Sequence, residues 1–204
     1  MKLILTRHGE TEWNLLRKTQ GATDTALTEK GREQARLLAR RLRGIEIEVI
    51  YSSSLSRAME TAHIIAHEVG APVISEPDLK EYSFGSWEGL HIDSLKDSHP
   101  DIFEIWECTP VLCRIPEAEH FPSYSRRIGG FLEKALERHA NGTIMAVSHQ
   151  LTSKLLITNG LGLSENYIHS FRVDNTSLNI LNFLPKHVVL EKLNDTTHLT
   201  EEGL

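Results

Sequence analysis

Little in this chain would tie it to a membrane, to nucleic acid or to an oxidising compartment. Among its 204 residues there are only two cysteines, Cys108 and Cys113. Their spacing fits neither a disulfide framework nor a zinc knuckle by itself, so a reducing, cytoplasmic setting is expected. Lys and Arg number 22 against 28 Asp and Glu, a formal net charge of −6, which argues against the basic surface that nucleic-acid binding needs. Long apolar runs are missing as well. The opening Met1-Lys2-Leu3-Ile4-Leu5 turns polar at Thr6-Arg7-His8; it is too short for a signal-peptide core or a membrane span and reads as a buried first strand. Any anionic partner must therefore meet positive charge that is local.

What is present reads as an ordinary globular domain. A composition 40% hydrophobic and 25% charged suits one domain that buries roughly 70% of its unfolded-chain surface. Thr28 is placed to cap a helix whose Ala35, Leu38, Ala39 and Leu42 share a face, with Arg32, Arg36, Arg40, Arg41 and Arg43 left to solvent. Val49-Ile50-Tyr51 reads as a strand; a polar turn through Ser54 leads to a helix with Ala58, Ala62, Ile65 and Ala66 on one face, stopped by Gly70. Pro72-Val73-Ile74 is a short strand, and Leu79 to Gly89 a Gly- and aromatic-bearing loop. From Leu90 to Pro122 the pattern weakens. Pro100, Pro110, Pro116 and Pro122 interrupt it, with one helix expected around Asp101 to Glu107, so this stretch is assigned to an inserted cap. A helix capped by Ser123 follows, then the apolar strand Thr143 to Val147, which ends abruptly at Ser148-His149, and a helix around Leu151 to Ile157. Two β-rich runs, Ser177 to Phe183 and Val188 to Leu193, can extend the sheet.

In open α/β sheets ligands bind at the carboxyl ends of the strands. Three strands of this chain end in Arg7-His8-Gly9, in Ser52 to Arg57 and in Ser148-His149, so two histidines and two arginines can converge on one crevice. Guanidinium groups match phosphate oxygens bidentately, and imidazole serves as nucleophile or oxyanion stabiliser. Gly9 is expected to keep its turn tight and to let backbone amides approach the anion. With Ser54 as N-cap, Arg57 would lie in the first turn of its helix, beside unsatisfied amides.

The run Leu5-Thr6-Arg7-His8-Gly9-Glu10-Thr11, followed by Trp13-Asn14 and Gln20-Gly21, resembles the histidine phosphatase superfamily, the phosphoglycerate-mutase-like group. The resemblance continues through Leu27 to Gly31, Ser54 to Ala58, Thr61-Ala62, Leu79-Lys80-Glu81, Phe84-Gly85, Trp87-Glu88-Gly89 and Val147-Ser148-His149. Asn194 to Leu199 is similar to the closing segment of its broad-specificity phosphatase branch. The likeness implies a three-layer α/β fold, a mostly parallel mixed sheet flanked by helices, with a small cap insertion at about Leu90 to Pro122. It implies that His8 accepts the phosphoryl group, that Arg7, Arg57 and His149 hold its oxygens, and that Glu81 protonates the leaving oxygen; Glu88, in the same loop, is the other carboxylate to weigh. Asn14, Gln20 and Gly21 would line the pocket. Gln150 stands where the family more usually has glycine, and would bear on substrate range.

These roles are physically coherent. His8 must attack as neutral imidazole, which Arg7 and Arg57 would favour; Glu81 must hold a proton, for which the aromatic neighbours Tyr82, Phe84 and Trp87 would withhold water. No metal or other cofactor is called for, since arginines supply the charge. His63 and His67 are read as surface histidines, Cys108 and Cys113 as incidental thiols, and Arg126 and Arg127 as solvated; Arg17 and Lys18 stand close to the pocket residues. The expected substrate is a small phosphorylated metabolite, with no nucleic acid or membrane partner, and a homodimer stays open. Between Tyr82 and Gly89 there is no basic residue, and Thr109 to Pro122 offers only Arg114. That favours hydrolysis over the metal-independent phosphoglycerate mutase reaction, which must retain a doubly phosphorylated intermediate. The third reading is a catalytically silent binding module of the same fold.

Overall fold

The structure, a computed structural model, describes residues 1–200. In chain order the elements are β1 (Lys2–Arg7), α1 (Glu12–Leu15), α2 (Glu29–Arg41), β2 (Val49–Ser52), α3 (Ser56–Val69), β3 (Val73–Ser75), α4 (Ile92–Ser98), α5 (Pro100–Cys108), α6 (Phe121–Arg138), β4 (Thr143–Ser148), α7 (Gln150–Gly160), β5 (Leu178–Phe183) and β6 (Val188–Asp195). Short 3-10 turns fill the gaps, among them Pro77–Leu79, Gly85–Trp87 and Pro110–Leu112. The six strands form one sheet in the order β3-β2-β4-β1-β5-β6. The first four in that order run parallel, and β5 and β6 add on antiparallel. This is the mixed, mostly parallel sheet anticipated.

Period-two alternation sorts the strands' side chains into two cores. Leu3, Leu5, Tyr51, Ile144 and Ala146 face Ile128, Phe131 and Leu132 of α6 and Leu155 and Leu156 of α7. Ile4, Ile50, Met145 and Val147 face Leu38, Ala39 and Leu42 beside Ala58, Ala62 and Ile65, the stripes of α2 and α3. Both faces of the parallel strands are covered, which is why those strands read as continuous apolar runs. Thr28 caps α2, its hydroxyl accepting from the Gly31 N–H at 3.0 Å, and Gly70 ends α3 in the left-handed region at φ +74°.

Local expectations fail where the partner is distant. The N-cap of α3 is Leu55, not Ser54, and its side chain makes no capping bond. Asp24 does the work from another loop, its carboxylate accepting from the Ser56 N–H at 2.9 Å and from the Ser56 hydroxyl. Three of the four prolines of the 90–122 stretch start helical turns rather than break them: Pro100 opens α5, Pro110 opens a 3-10 turn, and Pro122 lies in the first turn of α6, which begins at Phe121, two residues before the predicted cap at Ser123; Pro116 lies in a turn. A helix missed in the sequence, α4, buries only Leu95. Trp106 of α5 stacks on Tyr82 with ring centres 5.6 Å apart, and Leu95, Trp106 and Cys113 join the α6–α7 core, so the segment is seated on the sheet domain through aromatic contact. Of the helix arginines expected in solvent, Arg36, Arg40 and Arg43 are exposed, as read, and form surface ion pairs with Glu33 and Glu68, whereas Arg32 and Arg41 are only partly exposed and pair with Glu60 and Asp195.

Candidate active site

Parallel register brings the three strand ends side by side, Arg7 opposite Ser148 and Ser52 opposite Val147. The next residues continue the ladder, His8 N–H donating to the Ser148 carbonyl at 2.9 Å and Ser53 N–H to that of Val147 at 3.0 Å. His8 and His149 therefore meet, ring centres 5.2 Å apart. His8 Nδ1 lies 2.7 Å from the Gly9 carbonyl, which can only accept. The proton thus sits on Nδ1, and Nε2 presents its lone pair, to which Arg57 Nε donates at 3.3 Å. Burial first, then the charges of Arg57 and Arg7, hold the His8 pKa well below 6.5. Each of these effects favours the neutral ring.

Arg57 is 1% exposed and ties the loop before it to the site, donating to the Gly21 and Thr23 carbonyls, each at 2.8 Å. The same loop is held from the other side by Glu88, whose carboxylate accepts from the backbone N–H groups of Ala22, Thr23 and Phe84, each at 3.0 Å. Burial alone would raise the Glu88 pKa, but bonds from Thr23, Ala22 and Phe84 outweigh it and hold it below the ordinary value. A Cβ on Gly21, at φ +56°, would lie 2.2 Å from Glu88 Oε1, so the loop needs glycine there. Gly9 acts differently from expectation. Its N–H is donated to Thr61 Oγ1 at 3.1 Å rather than left for an anion, and an added Cβ would lie 2.3 Å from the Gly31 carbonyl oxygen. Its role is close packing of the loop on the start of α2.

Two buried nitrogens beside His8 have no hydrogen-bond partner: Arg7 Nε and His149 Nδ1. Arg7 donates through Nη1 to the Val173 carbonyl at 3.3 Å, and burial draws its pKa down to about 10 against the raising influence of Glu81 and Asp174, leaving it cationic at neutral pH. His149 Nε2 pairs with the Ser53 hydroxyl at 2.7 Å. Ser53 Oγ also accepts from the Leu55 N–H at 3.3 Å; with the Ser53 proton turned to Nε2, the His149 proton lies on Nδ1 and that nitrogen is a donor. Burial and then Arg57 keep this ring, too, well below pKa 6.5.

Glu81 is 8% exposed. The contacts to its carboxylate are with the first turn of α7 rather than the aromatic rings named in advance. Oε1 accepts from the Tyr82 N–H at 3.1 Å and from Thr152 N–H and Oγ1, each at 3.0 Å, while Oε2 accepts only from the Leu151 N–H at 3.0 Å. Oε2 thus keeps a lone pair unoccupied. Arg127, expected in solvent, is partly buried; it donates to the carbonyls of Asp78, Lys80 and Glu81 at 2.6, 2.8 and 3.1 Å while Glu119 receives it bidentately at 2.8 Å. The backbone carrying Glu81 is fixed by that guanidinium.

A cavity of about 450 Å³ opens at this edge, lined by Arg7, His8, Arg57 and Glu81, by Asn14, Gln20, Gly21 and Gln150, and by Arg17 and Lys18. His149 lies behind His8, 1% exposed. Asn14 Oδ1 is occupied by the Thr11 N–H and hydroxyl, each at 3.1 Å, and Gln20 Oε1 by the Thr25 hydroxyl at 2.7 Å. Both side chains therefore keep their NH2 groups, donors suited to phosphate oxygens. Gln150 is exposed at the rim, on the first residue of α7. Ile92, Leu95, Phe103, Trp106 and Glu107 close the far side.

Sequence reasoning missed Asn175, whose Nδ2 donates to the His8 carbonyl at 2.8 Å and approaches Asn14 Oδ1 at 3.2 Å. The polar run before β5 was its only trace. It also missed Lys154 and His169 on the cavity wall. His63 and His67 are exposed, and no metal-holding cluster of three His, Cys, Asp or Glu side chains forms among the described residues. Cys108 is exposed and Cys113 buried, both as free thiols. No helix among the described residues is long and apolar enough to cross a membrane.

A mixed three-layer sheet carrying paired histidines and arginines at its strand ends defines a phosphoryl-transfer class of site. The chain belongs to the histidine phosphatase superfamily, branch 1, whose family model matches residues 3–196. It is 36% identical over 201 residues to a protein named Phosphoserine phosphatase 1 from Hydrogenobacter thermophilus, covering 98% of this chain and 95% of that one. It is also 36% identical over 213 residues to a Yersinia pestis protein named "Probable phosphoglycerate mutase GpmB", covering 100% and 97%. Among solved structures, a phosphoserine phosphatase from Entamoeba histolytica in complex with phosphoserine matches with a TM-score of 0.86 at 35% identity, covering 97% of this chain and 98% of that one.

Proposed function

We propose that the chain is a phosphoric monoester hydrolase acting on small phosphorylated metabolites through a phosphohistidine on His8. The observation that carries this reading is the proton-free Nε2 of a buried His8 beside two orphaned donors, Arg7 Nε and His149 Nδ1. Nε2 attacks phosphorus and the bond to the alcohol oxygen breaks, its electron pair leaving with that oxygen. Glu81 gives its proton to the oxygen, while Arg7, Arg57, His149 and the NH2 groups of Asn14 and Gln20 hold the phosphoryl oxygens. Water then attacks the phosphohistidine, Glu81 takes the water's proton, and inorganic phosphate leaves His8 as it began. In this reading the chain is one catalytic domain with a cap at about 90–122, working in the reducing cytoplasm. Its site draws every residue from a single copy, so the chemistry does not require a homodimer.

Hydrolysis is favoured over mutase chemistry by the cap side of the cavity, which offers apolar and aromatic side chains and the carboxylate of Glu107 but no cation. A second phosphate would find little there. We read the enzyme as of the histidine acid phosphatase type, which the depressed His8 pKa supports. A nucleophile that protonates only well below pH 6.5 loses nothing as pH falls through that value. The test is phosphate release from p-nitrophenyl phosphate: kcat/KM stays on its plateau below pH 6.5 and falls at least roughly 10⁴-fold in His8→Ala, and wild-type enzyme quenched in turnover carries an acid-labile phosphate on His8. An acid limb centred at 6.5, or isomerisation of 3-phosphoglycerate outrunning phosphate release, would count against it.

A further inference from the structure

Five cations reach the cavity wall: Arg7, Arg17, Lys18, Arg57 and Lys154. Four are engaged. Arg57 is bonded to His8, Gly21 and Thr23, and Arg7 to the Val173 carbonyl. Arg17 pairs with Asp93 at 3.0 Å, and Lys18 lies 5.7 Å from the centre of the Trp13 ring. Lys154 is the exception. It projects from α7 one turn beyond Gln150 and Leu151, is only partly exposed, and makes no hydrogen bond, ion pair or ring contact among the described residues.

An ammonium partly withdrawn from water without a counter-ion is stabilised by a ligand that supplies one, and Nζ carries three donors. The surroundings do not supply the anion. Burial and then Arg7 lower the Lys154 pKa, against the smaller raising influence of the Glu81 and Asp174 carboxylates. His169 is driven down to about 4 by burial and by Lys154 itself, so the neighbour is a neutral imidazole. Phe103 and Trp106 on the wall are uncharged, and Glu107 makes no ion pair. One ammonium suits one further acidic group, and Glu107 on the cavity wall disfavours anything as highly charged as a second phosphate.

We propose that Lys154 is a specificity residue that receives a carboxylate on the alcohol portion of the substrate, so that the site selects carboxylated phosphomonoesters over their uncarboxylated counterparts. This rests on the phosphatase reading and deepens it.

O-Phosphoserine and O-phosphoethanolamine differ only by the carboxylate, which makes their ratio of kcat/KM the readout. The ratio is expected to favour phosphoserine by roughly 10- to 100-fold, the worth of a charge-assisted bond, mainly through KM. In Lys154→Met it should collapse toward one, and in Lys154→Arg much of it should return. A ratio near one in the wild type, or one that Lys154→Met leaves unchanged while both rates fall together, overturns the proposal. Titration calorimetry of the His8→Ala chain with the same two esters reads the preference as a Kd ratio, without turnover. The outcome is thereby separate from that of the p-nitrophenyl phosphate assay, whose failure would sink the phosphatase reading alone.

Discussion

Two walls of the cavity differ in what holds them. On the strand-end side, Arg57, Glu81 and Glu88 each make three or more hydrogen bonds, most of them to backbone far away in sequence. On the α4–α5 side, Ile92, Leu95, Phe103 and Trp106 contribute ring and aliphatic surface, and α4 rests on the single buried Leu95. Bond formation at phosphorus tolerates little positional error, so its groups are fixed by directional bonds. Contact with the remainder of a substrate needs only shape, and non-directional packing suffices for it.

If that division is real, the largest effect belongs to Glu81. Glu81→Gln, unable to donate a carboxyl proton, is expected to lower kcat for alkyl phosphates by about 10²- to 10³-fold, and much less for p-nitrophenyl phosphate, whose phenolate departs unaided; steady-state rates on both esters check it. Next is Glu88→Ala. With three backbone N–H groups left without their acceptor, it should cost about 2–4 kcal/mol, read as a lower midpoint in denaturant titration, with a higher KM as the Gln20 to Asp24 loop loosens. The smallest effect is expected on the other wall. Ile92→Ala, trimming a side chain 42% exposed, should change KM by about two- to five-fold with kcat unaltered; a large fall in kcat would erase the distinction between the walls.

The same division governs what could be read from sequence. Thr28 and Gly70 bracket their helices through contacts within a few residues, and the apolar runs of β1, β2 and β4 mark strands buried on both faces. The family motifs pointed to His8, Arg57 and His149, but their meeting depends on the sheet order that sets β4 between β1 and β2. Bonds over long separations left no local pattern. Asp24 capping α3, Arg127 fixing the Glu81 backbone, Thr61 taking the Gly9 N–H and Asn175 holding the His8 carbonyl all fall in this group. The helix α4 escaped for another reason: seven residues with one buried apolar position carry almost no periodic signal.

The position of β1 has a consequence for biosynthesis. Among the described residues its strand partners are β4 and β5, so after β1 is made the whole span from Arg7 to Thr143 must follow before either edge of the strand can be paired. The bond from Asn175 to the carbonyl of His8 likewise forms only after residue 175 has been made. That interval, with a sticky segment unpaired, is when a chaperone has most to do.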